Sequence, residues 1–117
     1  MRITIVGPCA AGKSTLARNL KARGYDAEDC AQEHSGVQTM WLQIAKPDIL
    51  IYLDVSLTIL CQRLKVNWEQ TYLDEMNRRL THAREHAHFA IDTNPLTPLQ
   101  VCDRATAFLQ TIGVSPQ

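Results

Sequence analysis

The sequence predicts an α/β fold in three layers, αβα, built on a small, mainly parallel sheet of about four strands. Three observations predict it. Ile3-Thr4-Ile5-Val6 is a short apolar strand that runs straight into a loop with two glycines and then a helix. Ile49-Leu50-Ile51-Tyr52-Leu53 is a continuous apolar run of the kind buried on both faces of a parallel sheet. Around these two strands, strand-like and helix-periodic segments alternate, an order that puts helices on both faces of the sheet. With 117 residues the chain reads as one domain, residues 1–117, with no repeat, low-complexity stretch or linker.

The first helix begins near Lys13, carries Leu16, Ala17 and Leu20 on one face, and stops at Gly24, a residue suited to the left-handed turn after a helix. Gly24 to His34 reads as a short polar strand ending in Gln32-Glu33-His34. Ser35 to Lys46 has the spacing of a short helix, with Val37, Met40, Trp41 and Ile44 at i, i+3, i+4 and i+7. Pro47-Asp48 punctuates the chain before the strand from Ile49, which Asp54 closes. Ser56 can cap the next helix, whose Ile59, Leu60 and Leu64 share a face and which breaks at Asn67-Trp68. A helical stretch from about Thr71 turns Leu73, Met76, Leu80, Ala83 and Ala87 inward and Glu75, Arg78, His82 and Glu85 outward. Phe89-Ala90-Ile91 is a short strand. Thr97-Pro98-Leu99-Gln100 combines a cap, a first-turn proline and a capping-box glutamine, and Val101, Ala105, Phe108, Leu109 and Ile112 line the last helix up to Gly113.

Residues Gly7-Pro8-Cys9-Ala10-Ala11-Gly12-Lys13-Ser14-Thr15 match G-x-x-x-x-G-K-[ST] in full. Between a strand and a helix this is the pattern of a phosphate-binding loop. Small residues let successive backbone N–H groups turn inward, and the helix that follows points its positive end at the same spot. Lys13 can reach the β- and γ-phosphate oxygens, and the Ser14 hydroxyl can sit on the magnesium that bridges them. The other residues placed on the same sheet edge are Gln32-Glu33-His34, Asp54 and Asp92-Thr93-Asn94-Pro95.

Twelve basic and twelve acidic residues balance to zero, which gives no electrostatic footprint for nucleic acid or membrane. The longest apolar stretch, Ile49 to Val55, is interrupted by Asp54 and is too short to span a bilayer, and the N-terminal residues lack a signal-peptide pattern. The expectation is a cytoplasmic protein. Cys9, Cys30, Cys61 and Cys102 form no C-x-x-C pair and read as free thiols; Cys9, beside backbone donors, is the one whose pKa the loop could lower, although it reads first as a small residue that the loop tolerates.

Three segments together resemble the P-loop small-molecule and nucleotide kinases, the group of adenylate, cytidylate, shikimate and gluconate kinases. They are Arg2 to Pro8 with Lys13 to Ala17, Pro47 to Val55, and Ile91-Asp92-Thr93-Asn94 with Leu96-Thr97-Pro98. The resemblance implies a P-loop NTPase fold, ATP and Mg2+ as cofactors, and an adenine lying against Asn94 and Pro95. It also implies a lid whose arginines close over the transferring phosphoryl group, for which Arg78 and Arg84, or Arg79, occupy the corresponding stretch. The same arginines can instead solvate a helix by pairing with Glu75 or Glu85. The chain departs from the family where Ala10 replaces a glycine, and where Tyr25 to Lys46 leaves no room for a nucleoside-monophosphate lobe. Glu33 is the expected carboxylate for magnesium or an acceptor hydroxyl, with Asp54 its competitor.

His82 and His86 share a helix face and His88 follows, but their spacing gives no metalloprotease motif and no third ligand is placed. Trp41 is a candidate pocket wall, and Trp68 reads as packing. No N-K-x-D run is present, which disfavours a guanine-specific GTPase. The expected activity is transfer of the γ-phosphoryl group of Mg-ATP to a small-molecule acceptor. The alternative is a nucleotide-binding module or slow ATPase completed by a partner chain or, as a homodimer, by a second copy of itself.

Overall fold

Ile3, Thr4, Ile5 and Val6 are all buried along β1 (Arg2–Val6), so this strand has protein against both faces. The computed structural model describes residues 1–117. After β1 come α1 (Lys13–Ala22), β2 (Asp26–Asp29), β3 (Ile49–Asp54), α2 (Leu57–Leu64), α3 (Gln70–Arg79), α4 (Thr81–His86), β4 (Phe89–Asp92) and α5 (Pro98–Thr111). The four strands form one sheet in the order β2-β1-β3-β4, every pair parallel, with Ile3 opposite Ile49, Val6 opposite Tyr52 and Leu53 opposite Ile91. Strand order reverses at β1. Its neighbours are reached in opposite directions, which opens a crevice at the C-terminal ends of β1 and β3.

The two sheet faces are covered unequally. Ile3, Ile5, Ile51, Leu53 and Ile91 join Leu16 and Leu20 of α1 and Ala105 and Leu109 of α5 in a core of 21 buried residues. Val6, Leu50 and Tyr52 point the other way and join Trp41, Leu80 and Ala83 in a core of six buried residues, with the partly buried Cys30 and Ala87 packed against it. The second helical layer is therefore thin. No helix is long and apolar enough to cross a membrane.

The caps follow the sequence. Ser56 accepts from the Ile59 N–H, and Thr97 and Gln100 complete the reciprocal capping box at 3.2 and 2.9 Å. Gly24 and Gly113 take positive φ after α1 and α5. Ile112, expected to line α5, is exposed at its end, and Val114 is buried in its place. Likewise α2 ends at Lys65, in the left-handed conformation, before Asn67, so Leu64 lies exposed beyond the buried Leu60.

Three expected elements are corrected. The strand read from Gly24 to His34 is only Asp26–Asp29, because Gln32–His34 coils into a 3-10 turn. The helix expected over Ser35 to Lys46 is absent except for a single π-helical turn at Trp41–Ala45, and Val37 and Ile44 stand exposed. The cause is a side chain. The fully buried Gln32 amide donates to the Val37 carbonyl at 2.8 Å and accepts from the Trp41 N–H at 2.9 Å, holding the segment in a looped path. The single helix expected from Thr71 is broken at Leu80 into α3 and α4, which lets Leu80 and Ala83 reach the thinner core.

Candidate functional site

The loop from Gly7 to Thr15 leaves β1 at the strand-order reversal. A Cβ on Gly7 would lie 2.3 Å from the Leu53 carbonyl oxygen, so only glycine lets the loop pass β3 this closely. Pro8 is buried behind it, and Ala11 donates to the Pro8 carbonyl at 3.2 Å. Gly12 takes φ 96°, and Ala10 takes φ 62° with a Cβ in place, a strain of roughly 1 kcal/mol against glycine. The departure noted at Ala10 therefore falls on a residue whose backbone is left-handed.

The start of α1 has no side-chain cap, and the N–H groups of Gly12, Lys13, Ser14 and Thr15 reach no acceptor within the protein. These residues line a cleft of about 740 Å³, together with Asp29 at the end of β2, Glu33 and His34 of the 3-10 turn, and Arg63 of α2. Four unpaired donors at a positive helix end make the cleft suited to an anion. The exposed Ser14 hydroxyl stands in the same row.

Lys13 folds back over the loop. Its Nζ donates to the carbonyls of Gly7 at 2.9 Å and Pro8 at 3.1 Å and to Glu33 Oε2 at 2.5 Å. The two side chains of this ion pair are only 10% and 4% exposed, and Glu33 Oε1 has no partner at all. Cys9 Sγ lies 3.4 Å from His34 Nε2 and 3.9 Å from Glu33 Oε2. Burial, reinforced by the Glu33 charge, pushes the Cys9 thiol above its usual value, the opposite of the lowering a helix start could give and in line with a small residue that the loop accommodates. All four cysteines are free thiols, and burial raises Cys30 as well.

Asp54 sits at the end of β3 but outside the cleft lining, with Oδ1 accepting from the Val55 N–H and Oδ2 3.4 Å from Arg84. The Arg84 guanidinium also lies over the Tyr52 ring, 5.4 Å from its centroid. Arg78 is held away from the cleft by two hydrogen bonds to Glu75, at 2.9 and 2.6 Å, and Arg79 donates to the same carboxylate. Of the two arginines expected as a pair, Arg84 thus stands beside the end of β3 and Arg78 on the outer face of α3. Asn94 is used structurally, accepting from the Ser56 N–H at 2.8 Å and donating to Asp92, while Thr93 and Leu96 rather than Asn94 and Pro95 line the cleft.

Arg63 carries no motif in the sequence, yet it ties the loop to the end of β4. One of its terminal nitrogens donates to the Ala10 carbonyl at 2.7 Å and the other to the Thr93 carbonyl at 2.8 Å. The remaining candidates have structural duties. Trp41, a candidate pocket wall, is instead buried in the thinner core with its indole N–H on His82 Nδ1, and Trp68 packs on Tyr72. His88 accepts from the Leu50 N–H, and His86 stacks on His82.

Neither protein-family models nor curated protein sequences match this chain.

Proposed function

We propose that the chain is a P-loop protein that binds ATP with Mg2+ and transfers the γ-phosphoryl group to a small-molecule acceptor. The observation that carries this reading is the row of four unpaired N–H groups from Gly12 to Thr15 beside the Lys13 ammonium, in one open cleft. Pyrophosphate oxygens complete the hydrogen bonding that the start of α1 lacks. Lys13 exchanges Glu33 for phosphate oxygens, and the two carbonyls that also hold its Nζ keep it at the loop. Ser14, with an exposed hydroxyl, would hold the magnesium, whose charge offsets that of the β- and γ-phosphates. Glu33, released from Lys13, becomes free to orient an acceptor hydroxyl and take its proton. Arg63 ties the loop to Thr93 and keeps the cleft walls in register.

A second reading has two observations in its favour. Arg78 is engaged with Glu75, and residues 35–46 form a loop with one π-helical turn rather than a substrate-binding helix, as suits a nucleotide-binding module whose acceptor side is supplied by another chain. ADP release from Mg-ATP, measured with and without pooled hydroxyl and phosphate acceptors, separates the two. Lys13→Ala should reduce ATP affinity by at least tenfold and abolish release. Turnover equal to wild type in that variant removes the assignment, and tight ATP binding without acceptor-dependent release favours the module.

A further inference from the structure

We propose that Cys9, Glu33 and His34 form a binding site for zinc or a similar thiolate-seeking divalent cation at the edge of the cleft, which Glu33 and His34 line. The three donor atoms, Cys9 Sγ, Glu33 Oε2 and His34 Nε2, are mutually 3.4, 3.9 and 3.9 Å apart. A tetrahedral zinc ion, with bonds of about 2.3 Å to sulfur and about 2.1 Å to nitrogen and oxygen, requires its ligand atoms to lie roughly 3.4–3.6 Å apart. The three atoms therefore need to move by only a few tenths of an ångström.

The donors are unlike in type and come from separate segments, Cys9 from the loop after β1 and the other two from the 3-10 turn after β2. A second observation points to a ligand. Glu33 is 3% exposed and its Oε1 is a buried carboxylate oxygen without any hydrogen-bond partner. A nearly buried carboxylate is costly to leave uncompensated, and a cation on Oε2 offsets its charge, as the Lys13 ammonium otherwise does. His34 is exposed, which gives the ion a path from solvent and leaves the fourth position to water. Thiolate and imidazole select Zn2+ over Mg2+, which takes oxygen ligands and dehydrates reluctantly.

Lys13 is the competitor. Its ammonium lies 2.5 Å from the oxygen that the ion would take, so ion and ammonium exclude each other from Glu33. The site stands on these side chains and not on the nucleotide reading, and its test uses neither ATP nor turnover.

Binding gives up the Cys9 thiol proton to buffer and forms a metal–sulfur bond without any redox change. Titration of the full chain with Zn2+ alone, by calorimetry in two buffers of different ionisation enthalpy, should give one ion per chain with release of a proton. Co2+ should give the intense absorption of a thiolate-bound tetrahedral ion. Cys9→Ser and His34→Ala should each weaken Zn2+ binding at least tenfold, and a large excess of Mg2+ should not displace it. Lys13→Met should tighten binding several-fold by freeing Glu33. His34 is exposed, so its substitution does not threaten folding. Binding that survives both Cys9→Ser and His34→Ala, or Co2+ spectra without a sulfur transition, overturns the site, and unchanged affinity in Lys13→Met removes Glu33 from the ligand set.

Discussion

Replacing Glu33 by glutamine tests how Lys13 is held before any phosphate arrives. The pair is nearly buried, at 10% and 4% side-chain exposure, and its hydrogen bond is charge-assisted, an interaction of roughly 1.5–3 kcal/mol. Glutamine keeps an acceptor oxygen but not the charge, so the free protein should lose about 2 kcal/mol. For 117 residues that is a fall in Tm of roughly 8 °C. Phosphate binding moves the other way. In the wild type, Lys13 must leave a carboxylate to reach a phosphate, and that carboxylate repels the incoming anion. In the variant neither penalty applies, and about 1.4 kcal/mol recovered corresponds to roughly tenfold tighter binding. The assay is calorimetric titration with ADP in the presence of a chelator, so that any part Glu33 plays toward a metal does not enter, with Tm measured in parallel. Lower Tm with unchanged or weaker ADP affinity would refute the idea that phosphate and Glu33 compete for the same ammonium. The same substitution should weaken Zn2+ binding, so one change moves two ligands in opposite directions.

Three further outcomes follow from one buried group and one paired group. Tyr52 is 1% exposed, its hydroxyl has no partner, and burial pushes its pKa up to about 12. Tyr52→Phe keeps the ring against Arg84 and should stabilise the protein by about 1 kcal/mol in chemical denaturation; a loss of that size would mean that the hydroxyl has a partner. Because the folded pKa lies above the ordinary 10, wild-type stability should also fall between about pH 10 and 12, and the phenylalanine variant should lack this fall. Glu75 is held by Arg78, and secondarily by Arg79, at a pKa of about 2, below its ordinary 4.5. Its contribution is therefore present above pH 4.5 and lost as pH drops toward 2, so Glu75→Gln should show a shallower acid limb in a plot of Tm against pH. Parallel limbs for the two proteins would dismiss the pair as a source of stability.

The strands that position the cleft are legible where burial alone dictates them. Ile3 to Val6 and Ile49 to Leu53 are buried on both faces, so a continuous apolar run identifies each. Strand β2 is different. Of Asp26, Ala27, Glu28 and Asp29 only Ala27 is buried, and backbone pairing with β1, not side-chain pattern, makes this edge a strand. The spacing of Val37, Met40, Trp41 and Ile44 fits a helix that does not form, because hydrogen bonds to the Gln32 side chain, five and nine residues upstream, satisfy the backbone instead. Arg63 escapes a reading by motif for a different reason. Its partners Ala10 and Thr93 lie 53 and 30 residues away along the chain. Glu33, by contrast, is placed on the cleft edge by the C-terminal end of the expected second strand, although the 3-10 turn that carries it and its bond to Lys13 are not legible.

Gln32 explains why Glu33 is where it is. Its amide is fully buried and spans three segments, donating to the Val37 carbonyl at 2.8 Å and the Arg79 carbonyl at 3.3 Å and accepting from Trp41 at 2.9 Å. Next in sequence, Glu33 shares the same short turn, so it cannot shift far while Gln32 stays bound. The C-terminal end of α3, the loop before β3 and the carboxylate beside Lys13 are thereby joined through one side chain. A ligand that draws Lys13 from Glu33 leaves a buried charge on that turn, and the turn has two ways to respond. Glu33 can take a cation, or it can move outward toward the cleft, straining the Gln32 bonds that reach α3 and Trp41. The thin second layer makes the latter inexpensive, because only six buried residues hold that face together. Movement on phosphate binding is therefore expected in residues 32–45 and at the α3–α4 junction, not in the 21-residue core behind α1.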